Sequence, residues 1–102
     1  MAKKMKTMTP IHPGETLLED FLKPLGLTAN RLAMELIVPA TRVNDIVRGK
    51  RSITADTALR LSRYFGTTPQ FWMNLQTNYD LDLAEDAGGA EIADRIRPHH
   101  AA

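Results

Sequence analysis

"ANRLAMELIVPATRVNDIVRGKRSIT", residues 29–54, decides the fold. In its first half Ala29, Leu32, Ala33 and Leu36 fall at i, i+3, i+4 and i+7, the period of one helix face, and Thr28 stands where an N-cap belongs. Pro39 opens a second helix and Gly49 ends it. On a wheel of residues 39–48, Val43, Ile46 and Val47 gather on one side, with Ala40 at its edge. Thr41, Asn44, Asp45 and Arg48 gather on the other, with Arg42 on a flank. The apolar side must pack on the preceding helix, so the polar side faces outward. The small Ala33 lets the two helices cross closely, at the steep angle of a helix-turn-helix.

The surrounding chain continues the helical pattern. Pro13 suits a first helical turn, and Leu17, Leu18, Phe21 and Leu22 follow as its apolar face until Pro24 and Gly26. Thr54 caps a fourth helix, with Asp56 favourably placed in its first turn and Ala58, Leu61 and Phe65 on its inner side. Thr68 and Pro69 begin a fifth, striped by Trp72, Leu75 and Tyr79. No segment alternates like a strand. The expectation is an all-α, five-helix bundle of lambda-repressor-like helix-turn-helix type. Residues 1–10 read as a flexible basic arm, 11–83 as the DNA-binding and dimerisation domain, and 84–102 as a mobile, loosely ordered tail.

Composition narrows the function. The 102 residues suffice for one domain. There is no Cys, which excludes disulfides and Cys-based zinc sites and fits a cytoplasmic protein. No apolar run approaches the roughly 20 residues of a membrane span, and the basic start lacks the apolar stretch of a signal peptide. The net charge of +1 hides an asymmetry. Residues 1–72 hold 11 Lys/Arg against 6 Asp/Glu, whereas residues 73–102 hold 2 against 6. A basic body suits a polyanion.

The outer face of the third helix carries the chemistry of a major groove. Arg bonds guanine bidentately, Asn does the same with adenine, Asp accepts from cytosine, and Thr reaches a base edge or a thymine methyl. Ala40, Thr41, Arg42, Asn44 and Asp45 are therefore the expected base readers. Arg48, Lys50 and Arg51 lie just beyond, placed to grip phosphates, and Asn30 joins them from the start of the second helix. Taken singly, each could be an idle solvated side chain. Together with the two-helix unit they point to double-stranded DNA.

Other groupings are weaker. Phe71, Trp72, Leu75 and Tyr79 have the spacing of a core stripe that also makes dimer contacts. A two-fold dimer sets two recognition helices one DNA turn apart, about 34 Å, and so expects a palindromic operator. His12 with Glu15 and Glu19 makes a poor metal set and a good helix start. Asp80, Asp82, Glu85 and Asp86 lack the glycine and spacing of a calcium loop. Ser52 and Ser62 have no adjacent His, and there is no phosphate-cradling glycine loop, so catalysis, a cofactor, a metal and a small-molecule substrate are not expected.

Ala33 followed by Val43 and Ile46 in register resembles the Xre/lambdoid-repressor superfamily. "HPGETLLEDFL" (12–22), "VRGKRSIT" (47–54) and "ALRLSRYFGTTPQFWMNLQTNYDL" (58–81) are similar to the HigA-type antitoxins, over roughly residues 9–83. That resemblance implies a homodimer that represses its own operon and neutralises a cognate toxin, typically a RelE-like ribonuclease that cleaves mRNA. A phage or plasmid repressor without a toxin is the alternative, and a pure protein-interaction module a third reading. One departure stands out: the family's inter-helix turn usually has Gly where this chain has Ile37. Either the turn is rebuilt around Pro39 or Ile37 is strained.

Overall fold

Thr28, Thr54 and Thr68 each accept, through the side-chain oxygen, a hydrogen bond from the backbone N–H three residues on, at Arg31, Thr57 and Phe71. These caps start three of the five helices in the computed structural model, which describes residues 9–99. The most N-terminal helix, α1, spans residues 13–25. It is α-helical over Pro13–Thr16, widens to a π-helix over Leu17–Leu22 and tightens again over Lys23–Leu25. The wide turn lies just ahead of Pro24, whose ring would crowd the Asp20 carbonyl four residues back and whose nitrogen has no proton to donate. Next come α2 (Ala29–Leu36), α3 (Ala40–Val47), α4 (Ala55–Phe65) and α5 (Pro69–Arg95). No strand occurs among the described residues.

The core sits where the inner stripes meet. Leu17 and Leu22 of α1, Leu32 and Leu36 of α2, and Val43 and Ile46 of α3 are all buried. Ala33 is buried at the α2–α3 packing, as its size predicts. Trp72 exposes 0% of its surface and donates Nε1–H to Thr67 Oγ1 at 2.7 Å. Expected as a dimer contact, it is instead sealed inside its own chain, where Phe21 (4.9 Å between ring centroids) and Phe71 (5.0 Å) pack on it. Phe71, Leu75 and Tyr79 remain partly exposed.

The expected tail is helical over most of its described length. Residues 84–95 continue α5 without a break. Gly88 and Gly89 cost about 1 kcal/mol each against Ala, yet Ala and Glu around them keep the ladder going. Arg95 pairs with Glu91 one turn back, and Pro98 lies past the end. Of the arm proposed for residues 1–10, only Thr9 and Pro10 fall within the described residues.

Two local features fix the helix-turn-helix. The turn is not rebuilt: Ile37 adopts the left-handed conformation, φ 59° and ψ 53°, the sole non-glycine residue with positive φ among those described. Its side chain is 82% exposed, so burial offsets little of the strain. At the other end of α3, the start of α1 presses on the Ile46 backbone. A Cβ on Gly14 would overlap the Ile46 carbonyl oxygen, so the glycine of "HPGE" is a requirement of contact. His12 caps this start, its Nδ1 accepting from Gly14 N–H at 2.8 Å, while Gly49 and Tyr79 pack on its ring.

Two outcomes follow from this geometry. Ile37→Gly should raise unfolding free energy by about 1 kcal/mol, the left-handed penalty less the added chain entropy, as measured by urea denaturation. The His12 pKa is lowered from its usual 6.5 by burial, against opposing effects of the Asp80 carboxylate and the Arg51 backbone. The unfolded chain therefore takes up this proton first, so His12 stabilises the fold above about pH 6.5 and this contribution is lost as the pH falls through the lower folded-state value. Protonation also removes the Nδ1 acceptor that caps α1. Denaturation between pH 7.5 and about 5 should show this loss, and His12→Asn, which keeps a capping acceptor, should flatten it.

Candidate nucleic-acid interface

With Val43 and Ile46 turned inward, α3 presents its other side to solvent. Ala40 and Thr41 are exposed at its start, and Asn44 and Asp45 lie half-buried one turn on. Asn44 Nδ2 donates to Asn30 Oδ1 and to the Ala40 carbonyl, both at 2.9 Å. Asn30, expected at a phosphate, thus also ties α2 to the α3 face. These bonds use both N–H groups of the Asn44 amide and leave its Oδ1 to accept from a partner.

The cations follow on a braced loop. Gly49, at φ 77°, reverses the chain after α3, and Lys50 N–H closes the turn on the Asp45 carbonyl at 2.8 Å. Arg51 reaches back to Asp45 at 3.7 Å, an exposed pair of little stabilising value. Arg48 and Lys50 are exposed, with no ion partner among the described residues. The loop is pinned from below by Gln76. Its Oε1 accepts from Ile53 N–H at 2.7 Å, and its Nε2 donates to Asp80 Oδ1 and Ser52 Oγ. Sequence reading passed over Gln76. The signal was there: a glutamine on the inner side of α5, one turn from Trp72.

Arg42 departs from expectation. Rather than standing free on the reading face, its guanidinium turns to the start of α4, where Nη1 donates to Asp56 Oδ2 at 2.7 Å and lies 3.5 Å from Thr57 Oγ1. The same carboxylate oxygen accepts from Arg60 Nε at 2.9 Å, and Arg60 Nη1 donates to the carbonyls of Leu36 (2.9 Å) and Ile37 (3.4 Å). Hydrogen bonds from Arg60 and then Arg42 hold the Asp56 carboxyl below its usual range. Asp56 had been read only as a favourable charge in the first turn of α4, and Arg60 not at all. Their i, i+4 spacing was visible, but the partner in α3 was not.

The arrangement is therefore a polar ridge of Thr41, Asn44 and Asp45, flanked by Asn30 and by the cations at residues 48–51, with Arg42 drawn aside. No helix among the described residues is long and apolar enough to cross a membrane.

Known proteins share this framework. The helix-turn-helix family matches residues 18–72. Virulence-associated protein I of Dichelobacter nodosus is 60% identical over 78 residues, 76% of this chain and 72% of that protein. Among solved structures, the Pseudomonas aeruginosa antitoxin HigA, determined with the higBA promoter, superposes with a TM-score of 0.86. It is 50% identical, over 89% of this chain and 99% of that one. An addiction module antidote protein of the HigA family from Coxiella burnetii superposes with a TM-score of 0.86 at 50% identity, over 90% and 100%. The two solved structures are of an antitoxin and of an antidote protein. A shared fold and half the residues in common place the chain: it belongs to the HigA-type antitoxins of the Xre-type helix-turn-helix superfamily.

Proposed function

We propose that this protein binds an operator in its own promoter as a homodimer, represses that operon and neutralises a cognate RelE-like toxin. The observation that carries the DNA part is the solvent-facing ridge of α3, backed by Val43 and Ile46 and followed at once by cations. Ala40, Thr41, Asn44 and Asp45 meet base edges in the major groove, while Asn30, Arg48, Lys50 and Arg51 engage phosphates on either side. The related antitoxin seen with its promoter supports this reading. Phe71, Leu75 and Tyr79, partly exposed along α5, offer apolar area for a second copy, and a two-fold pair calls for a palindromic site. The toxin half rests on family membership.

Three cations per copy give a dimer roughly six phosphate contacts. Affinity for a duplex carrying the promoter should then fall on the order of a thousandfold between about 50 and 200 mM salt, read by fluorescence anisotropy. An affinity that ignores salt would end the groove reading. Thr41→Ala and Asn44→Ala should each lose about 1–3 kcal/mol of discrimination at particular base pairs, whereas Lys50→Ala should weaken every sequence alike. Unchanged operator choice in a Thr41/Asn44 double variant would show that other residues read the bases. Co-purification with the product of the adjacent gene tests the toxin partner, and a chain that leaves a neighbouring ribonuclease active would refute it.

A further inference from the structure

Val43 and Ile46 anchor α3 along a single stripe. A short rod held along one line can still rock about it, and a reading face needs its position set to within about 0.5 Å and its angle to within about 10–20°. A third point of attachment, off the stripe, is required. Arg42 supplies one: it lies in the first turn of α3, on its flank, and its guanidinium is joined to the Asp56 carboxylate at 2.7 Å. From Asp56 the chain of bonds runs through Arg60 to the carbonyls of Leu36 and Ile37, the end of α2 and the strained turn itself. The path leaves the recognition helix, crosses α4 and returns to the turn that launches that helix. Both charged hydrogen bonds on the carboxylate are 2.9 Å or shorter, the range of charge-assisted bonds.

We propose that Asp56 is a positioning residue for DNA recognition, which sets the angle of α3 through Arg42 and, through Arg60, couples that angle to the left-handed turn at Ile37. The proposal deepens the DNA reading and rests on it. In this role Asp56 touches no base, and Arg42 acts as a strut rather than a reader. A negative charge beside a phosphate-binding face would otherwise only weaken binding, so the two possible roles of Asp56 predict opposite results.

The test uses the full chain and two duplexes of equal length, one carrying the promoter operator and one scrambled, with affinities from anisotropy and folding checked by thermal melts. Asp56→Asn should lower the operator-to-scrambled affinity ratio about tenfold while leaving scrambled binding equal or slightly tighter. Arg60→Gln, which cuts the link on its far side, should lower the ratio in the same direction. In an Arg42→Ala background, Asp56→Asn should change the ratio no further, because the strut is already gone. If Asp56→Asn tightens both duplexes equally, Asp56 is a surface acid and the proposal fails. If it tightens the operator alone, Asp56 restrains a base-reading Arg42 and the proposal is reversed. A wild-type chain that cannot tell the two duplexes apart overturns the DNA reading itself. A discriminating wild type with an indifferent Asp56→Asn overturns only this inference.

Discussion

Burial of Val43 and Ile46 beneath α3 is the constraint on which the rest of the molecule depends. Each side chain gains roughly 1.5–3 kcal/mol by leaving water, more than any exposed ion pair in the structure is worth. Because they lie three residues apart on an eight-residue helix, they fix which way every other side chain of α3 points. Thr41, Asn44 and Asp45 are outward because Val43 and Ile46 are inward. The small Ala33 beneath the crossing and the absent side chain of Gly14 at the Ile46 carbonyl let the neighbouring helices come close enough to complete that burial.

Around this anchor the molecule places its polar groups as braces. Gln76 is buried but fully engaged, satisfying the Ile53 N–H and reaching Ser52 and Asp80, and no buried side-chain nitrogen or oxygen among the described residues lacks a partner. Through Gln76 and His12, the loop bearing Lys50 and Arg51 is attached to α5 and to the start of α1. The cations stand on a braced loop, which limits the entropy lost when phosphates are gripped. The strain at Ile37 is met in the same way. Arg60 donates to the two carbonyls that end α2, groups that a helix terminus otherwise leaves without partners.

Most of the fold was legible because its signals are local. Caps at Thr28, Thr54 and Thr68 and apolar spacing along each helix involve residues within one or two turns. The exposed ridge of α3 followed from the same periodicity. The C-terminal stretch was less legible because it mixes Gly, Ala and charge without an apolar stripe, while the helix begun at Pro69 carries its ladder on to Arg95. Trp72 was legible as core but not as core alone: a stripe on a helix says that a side chain is apolar, not whether its own chain or a second copy covers it. Three-ring packing with Phe21 and Phe71 decided that in favour of the core.

What the sequence by itself determined is the set of helices, their inward faces and the identity of the ridge, since hydrophobic period and capping are properties of neighbouring residues. What only the tertiary structure decided is which of the outward side chains are free. Arg42 and Asp56 are 14 residues apart on different helices, and their hydrogen bond exists because the fold brings the start of α3 beside the start of α4. Nothing periodic in the chain encodes that juxtaposition. It is the joint result of packing Ala33, Gly14 and the buried stripes together, and a bond that is made or lost within an ångström is visible only once they are packed.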